Sequence, residues 1–322
     1  MEYKLVMLPP QSTNTRQWAA LIGAVVPEVD VVIAESPEEA AVELRDAEAA
    51  FGTLPPELLG SAARLRWLQA PLAAPPAGYF YPALEEHPVV VTNLRGVYTE
   101  HVATHAMAFV LALARGFPRY IALQHECRWE QNRDERNVVH LPEATALVIG
   151  LGGVGCEIAR MCKTFGMRVI GTDARRSGPI IDVDEVRGPE ALDDLLPEAD
   201  FVVMAVPHTP ETESMIDRAR LQRMKRSAFL INIGRGMTLR LDDLVVALRA
   251  EELAGAALDV FEDEPLPQSH PLWTMPNVLL TPHVAVAGPY TESRRQGILI
   301  ENARRFCRGE PLLNVVDKTQ WF

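Results

Sequence analysis

Short β-branched runs alternate with amphipathic, Ala/Leu/Glu/Arg-rich runs along almost the whole chain. That alternation predicts βαβ units and a parallel sheet. In the first third it predicts strands at 3–8, 31–34, 49–52, 66–70 and 89–92. The helices between them carry start signals. Ser36-Pro37-Glu38-Glu39 offers an N-cap, a proline at the first helical position and acids in the first turn, and Pro55-Pro56-Glu57 opens a second helix in the same way. A longer helix, about 99–115, is apolar on most sides and is expected to be buried. A more polar stretch, 117–141, reads as a connecting arm. A second series then predicts six strands, at 146–149, 168–172, 201–206, 229–233, 255–260 and 278–281. An amphipathic helix over Thr291–Arg308 closes the chain and is expected to return to the first domain. The fold class expected is α/β, a doubly wound parallel sheet (Rossmann type) over 101–288 with a smaller α/β domain built from 1–100 and 289–322.

Length agrees with two domains: the chain has 322 residues, against a prior of about 150 per domain. A 48% hydrophobic and 23% charged composition excludes wholesale disorder. The net charge of −12 argues against a nucleic-acid surface or a polybasic membrane patch. The longest tempting apolar run, 106–114, is ended by Arg115 and is far too short to cross a bilayer. The first ten residues read as a strand start, without the features of a signal peptide. Cys127, Cys156, Cys162 and Cys307 form no CxxC pair and no zinc spacing. Reduced thiols in a cytoplasmic protein are the expectation.

Candidate chemistry begins at TALVIGLGGVG, which contains Gly150-x-Gly152-x-x-Gly155 between a predicted strand and a predicted helix. Gly150 suits the tight turn, Gly152 a close approach of backbone to pyrophosphate, and Gly155 close packing of helix on strand. The amides of Gly153 and Val154 fall at the helix N-terminus, where the dipole favours phosphate. The next strand ends in Asp173, where a carboxylate can hold the adenosine ribose hydroxyls. That favours NAD over NADP, although Arg175 and Arg176 could pair with a 2′-phosphate.

In an open α/β sheet, ligands bind outside the carboxyl ends of the strands. Those ends carry Pro207-His208-Thr209-Pro210, then Asn232 with Gly234-Arg235-Gly236, then Asp259 with Glu262-Asp263-Glu264, then Thr281-Pro282-His283. The set suits hydride transfer on a 2-oxo acid. Arg235 can hold carboxylate and carbonyl oxygens through its planar fork. His283 can act as acid/base. Glu264 can bond the other imidazole nitrogen, fix the tautomer and favour the protonated form, though Glu262 and Asp263 compete with it in the sequence. Asp259 suits the nicotinamide carboxamide or ribose, or equally an N-cap.

The stretches GLGGVG (150–155), AVPHTPET (205–212), NIGRG (232–236), ALDVFEDEPLP (257–267) and LTPHVA (280–285) resemble, in order, those of the D-isomer-specific 2-hydroxyacid dehydrogenases. The resemblance implies Arg235 as the substrate arginine, Glu264 as the histidine's partner and His283 as acid/base. It implies Gly150, Gly152, Gly153, Val154, Gly155, Asp173, Pro207 and Asp259 around NAD, with NADP possible. A smaller, flavodoxin-like substrate domain made from both chain ends is implied as well. So is a homodimer through the cofactor domain, with 117–141 in its interface. The partner molecule implied is a small 2-oxo acid or D-2-hydroxy acid.

Leu72 and Ala73, with Tyr98, are the candidates for the substrate pocket. They go with the stretch LQAPLAAPPAGYF (68–80), aligned with a loop whose amides usually hold the substrate carboxylate. Pro75 and Pro76 remove two donors from that loop. Thr104 and Glu143 are two further departures from the family pattern, neither in the catalytic set. His101 and His105 share a helix face, but Val102 stands where HExxH needs its glutamate, so no metal is expected. Alternatives are an NADPH-preferring glyoxylate/hydroxypyruvate-type reductase and a non-catalytic NAD-sensing protein, for which an acid/base pair has no use.

Overall fold

A computed structural model describes residues 3–73, 78–131 and 138–320. The chain divides into two compact units, 1–97 with 288–322, and 98–287. In the first unit, β1 (Tyr3–Met7), β2 (Val29–Ile33), β3 (Ala49–Phe51), β4 (Trp67–Gln69) and β5 (Val90–Thr92) form one parallel sheet in the order β2-β1-β3-β4-β5. That is the flavodoxin-like doubly wound order. Its helices are α1 (Thr13–Val25), α2 (Pro37–Glu43), α3 (Pro56–Leu59) and α4 (Pro82–Glu86).

Local chemistry sets the helix starts. Ser12 caps α1 in a reciprocal capping box with Thr15. Ser36 accepts the Glu39 amide, with Pro37 at the first helical position. Strand alternation sets the packing. Val6 and Leu8 point into one apolar cluster with Ala50, Leu68 and Leu84, while Leu5 and Met7 point into another with Trp18, Ile22 and Trp67. The closing helix, Thr291–Arg308, adds Leu299 and Ala303 to the second cluster, and the Tyr3 hydroxyl donates to the Ala303 carbonyl at 3.0 Å.

The second unit opens with α5 (Thr99–Ala114), eight of whose sixteen residues are buried. α6 (Phe117–His125) follows after Gly116, which takes the left-handed conformation at φ +66. The sequence reading made this stretch a connecting arm, because its apolar positions face outward: Phe117, Tyr120 and Ile121 are all exposed. β6 (Thr145–Ile149), α7 (Gly153–Thr164), β7 (Arg168–Thr172) and β8 (Glu185–Arg187) come next. Then follow α8 (Leu192–Leu195), β9 (Phe201–Met204), α9 (Arg218–Leu221), β10 (Phe229–Asn232), α10 (Leu241–Arg249), β11 (Gly255–Leu258) and β12 (Val278–Leu280). The seven strands are parallel in the order β8-β7-β6-β9-β10-β11-β12. Six strands were expected. The additional one, β8, is a three-residue edge strand, Glu-Val-Arg, with no buried residue. In β6, Leu147 and Ile149 face one core and Ala146 and Val148 the other. The strand order reverses between β6 and β9, the switch point where doubly wound sheets bind ligands.

Candidate active site

The loop after β6 lies at that switch point. Gly150 has φ +93, and a Cβ there would press on Val206 and the Ala205 carbonyl of the β9 loop. A Cβ on Gly155 would overlap the Gly150 carbonyl oxygen, so helix and strand can approach only because it is absent. Around Gly152 the space is open, and no side chain caps α7. The first turn of α7 contains no acid. A helix N-terminus with uncapped amides and an open face fits the pyrophosphate of a dinucleotide.

Asp173 follows β7. Its Oδ2 accepts the Leu151 amide at 2.9 Å, and its Oδ1 accepts the amides of Arg175 and Arg176 at 2.9 and 3.0 Å. The carboxylate therefore fastens the glycine loop to the β7 turn and has about one acceptor position left for a ribose hydroxyl. The Arg176 guanidinium lies 3.3 Å from Cys156 Sγ, whose thiol donates to the Leu151 carbonyl. Burial raises the Cys156 pKa, so the thiol form is favoured. After β9, the Pro207 carbonyl accepts the Thr212 hydroxyl at 2.8 Å, which ties back the 207–212 loop.

Arg235 leaves the end of β10. Asn232 shapes its turn, with Oδ1 accepting the Gly234 amide and Nδ2 donating to the Arg235 carbonyl, each at 3.0 Å. The Thr238 hydroxyl donates to the same carbonyl at 2.6 Å. One guanidinium nitrogen, Nη1, donates to the Gly234 carbonyl at 2.6 Å. Burial pulls the guanidinium below its ordinary pKa, and the Glu264 carboxylate opposes that pull.

The structure separates the three competing acids. Glu262 accepts the Leu241 amide at 2.9 Å, at the start of α10. Asp263 is exposed. Glu264 meets the histidine: its Oε2 is 2.7 Å from His283 Nδ1, and its Oε1 accepts the Phe261 amide at 3.0 Å. A carboxylate only accepts, so Nδ1 donates and Nε2 is left for a substrate oxygen.

Asp259 stands 1% exposed at the end of β11. It grips three consecutive amides. Its carbonyl takes the His283 N–H at 2.8 Å, Oδ1 takes Val284 at 2.9 Å, and Oδ2 takes Ala285 at 2.9 Å. The Thr281 hydroxyl adds a fourth bond, to Oδ1, at 2.6 Å. The carboxylate thus accepts three bonds from the 281–285 turn and, like Asp173, keeps about one acceptor position. That turn holds His283 in the left-handed region, φ +53, at a cost of about 1–2 kcal/mol for a residue with a Cβ.

The second unit thus gathers Arg235, Glu264 and His283 at neighbouring strand ends. Tyr98 precedes α5 in the same unit. Leu72 and Ala73 belong to the first unit, where their carbonyls accept the Leu94 amide at 3.2 Å and Asn93 Nδ2 at 2.9 Å. Pro75 and Pro76 lie outside the described residues. Asn232 and Thr281 escaped the sequence reading as organisers. Their only signal was a polar side chain at the end of an apolar strand. Among the described residues no group of three His, Cys, Asp or Glu could hold a metal ion.

The family model for D-isomer specific 2-hydroxyacid dehydrogenase, NAD binding domain, matches residues 107–285. A glyoxylate reductase of Korarchaeum cryptofilum is 38% identical over 234 residues, 71% of this chain and 70% of that protein. A D-isomer specific 2-hydroxyacid dehydrogenase from Xanthobacter autotrophicus, solved with NADPH and MES, superposes with a TM-score of 0.84 at 30% identity, covering 100% of both chains. An NADPH-dependent glyoxylate/hydroxypyruvate reductase from Sinorhizobium meliloti, solved with NADP and sulfate, gives 0.83 at 26% identity, again over 100% of both chains.

Proposed function

The chain belongs to the D-isomer specific 2-hydroxyacid dehydrogenases, and on that premise we propose that it interconverts a small 2-oxo acid and its D-2-hydroxy acid, with Arg235 on the substrate and His283 as acid/base. It is an NAD(P)-dependent oxidoreductase. The observation that carries the site reading is the 2.7 Å pair of His283 Nδ1 and Glu264 Oε2 beside a half-buried arginine.

The bound nicotinamide supplies the hydride in reduction and takes it in oxidation. Everything else falls to the chain. The amides of Gly152, Gly153 and Val154 receive the pyrophosphate, Gly150 and Gly155 shape the loop, and Pro207 walls the pocket. Asp173 offers its remaining acceptor to the adenosine ribose. Arg235, held by its bond to the Gly234 carbonyl, points its other N–H groups at the substrate carboxylate and carbonyl oxygen. His283 gives its Nε2 proton to the carbonyl oxygen as the carbon is reduced, and takes it back in the reverse reaction. Glu264 stabilises the imidazolium form that this requires. Asp259, whose carboxylate also holds the turn, offers its remaining acceptor position to the nicotinamide carboxamide or ribose in this reading.

A second reading, an NADPH-preferring glyoxylate/hydroxypyruvate-type reductase, is favoured by the exposed Arg175 and Arg176 and by the three amides that occupy Asp173. A homodimer through the second unit and a reducing, cytoplasmic setting complete the proposal. The first is supported by the exposed Phe117, Ile121 and Trp129, and the second by four free thiols. The deciding experiment follows NADH and NADPH oxidation against 2-oxo acids from glyoxylate to phenylpyruvate. Turnover of one size class with one cofactor is expected. Tight NADH binding with no turnover of any acid would instead point to an NAD-sensing protein.

A further inference from the structure

One histidine has no task in the reaction as described. His105 sits on the buried helix α5, its ring edge-on to Phe109 with centroids 4.6 Å apart. Its side chain is only 23% exposed. Nε2 lies 2.9 Å from Thr281 Oγ1, which lies 2.6 Å from Asp259 Oδ1. Proton counting fixes the direction of this chain. Thr281 has a single hydroxyl proton, and the short bond to a buried carboxylate claims it. Its oxygen can then only accept from His105, so Nε2 carries a proton. The bonds run His105 to Thr281 to Asp259, and all are polarised towards the carboxylate.

We propose that His105, acting through Thr281 and Asp259, is a positioning residue for His283. The proposal rests on the reading of His283 as acid/base. Asp259 holds the amides of Val284 and Ala285 with its two carboxylate oxygens and the amide of His283 with its carbonyl. A tilt of the carboxylate therefore drags the Val284 and Ala285 amides that follow His283, and through the backbone they share it shifts the imidazole from Glu264. The Thr281 hydroxyl resists that tilt only while its own rotor is locked. His105 locks it, because the accepted N–H leaves the hydroxyl proton no direction but Asp259. Without that N–H the hydroxyl is free to turn away. A misplacement on the order of 1 Å at a reacting group can cost about a hundredfold in rate. A loosened rather than displaced histidine is expected to cost about tenfold.

The test uses the full chain, steady-state kinetics with its preferred 2-oxo acid, and cofactor titration by nicotinamide fluorescence. H105F keeps the ring against Phe109 and removes the N–H. H105Q keeps a terminal N–H donor. T281V keeps the shape and removes the hydroxyl. H105F is expected to lower kcat about tenfold while NAD(P)H affinity stays within about twofold of wild type. H105Q should recover most of the loss. T281V should match H105F, and the double variant H105F/T281V should be no worse than the poorer single, because both break one chain. Wild-type kcat in H105F, failure of H105Q to rescue, or multiplicative losses in the double variant would each overturn the proposal. Should H105F fold poorly in a thermal scan, T281V and H105Q decide in the same terms. H283N, measured alongside, keeps the two claims apart. Turnover retained in H283N removes the acid/base reading and the positioning role with it. Turnover lost in H283N but intact in H105F and T281V removes only the positioning role.

Discussion

The roles proposed for Arg235 and His283 rest on different physics, so their variants should fail differently. His283→Asn removes the transferable proton. Turnover should fall about a hundred- to ten-thousandfold while NAD(P)H still binds, as measured by stopped-flow oxidation and fluorescence titration. Unchanged turnover would strip His283 of its role. Arg235→Lys keeps the charge but loses the planar fork. KM for the oxo acid should rise roughly ten- to a hundredfold with little change in cofactor affinity. Equal losses in both would mark a structural arginine. At this scale the sequence offered the candidates by type, since each stands just past a strand end where a doubly wound sheet binds ligands. It could not choose among Glu262, Asp263 and Glu264. Only the geometry shows that one starts a helix, one is exposed and one meets the imidazole. Nor could it join His105 to Thr281, 176 positions away.

Helix and strand ends carry predictions of their own. Ser12→Ala breaks the α1 capping box and should lower stability by about 1 kcal/mol. A calorimetric scan should show the transition shifted down by about 3 °C. No shift would mean that Thr15 closes the helix start unaided. Asp173 joins the glycine loop to the β7 turn through three amides. Asp173→Ala should therefore weaken both cofactors, and NADH more than NADPH, because a carboxylate repels a 2′-phosphate. Fluorescence titration with each cofactor reads both effects, and an unaltered ratio would take Asp173 out of cofactor selection. Most strands legible in the sequence are buried on both faces and read as continuous apolar runs, and the half-buried β2 and β12 were legible through their β-branched and leucine residues. Their carboxyl ends were read one or two residues too long wherever the apolar run continued into the loop, as at Val206 and Val260. The edge strand β8 carried no such run. The helix α6 turns its apolar residues outward, so its pattern did not read as a helix packed on a core.

Over the whole molecule, the outward apolar residues are the largest feature that the fold leaves unexplained. Phe117 and Trp129 are 53% and 93% exposed. If they form a dimer contact, the chain should sediment at twice its 35.6 kDa mass. Phe117→Glu should then shift it to the monomer, with the secondary structure unchanged by circular dichroism. Sedimentation of the wild type as a monomer at micromolar concentration would remove the dimer. Alternation alone gave the doubly wound plan of the second unit and an α/β first unit, whose flavodoxin-like order came from the family resemblance. The dimer proposal came from the family resemblance, because exposed apolar residues on a polar segment carry no period to read.

The grip of Asp259 on three successive amides also limits what can stand at position 283. Its backbone requires a left-handed conformation, which asparagine, aspartate and histidine visit far more readily than β-branched or bulky residues. Histidine is the member of that short list suited to proton exchange near neutral pH. Asparagine would fit the same backbone almost without strain, and a single-base change in the codon reaches it. With His283 as the proposed acid/base, catalyst and silent nucleotide receptor are one mutational step apart in this chain, and the step leaves the fold nearly untouched. A population under relaxed selection for turnover could cross it without first losing a stable protein.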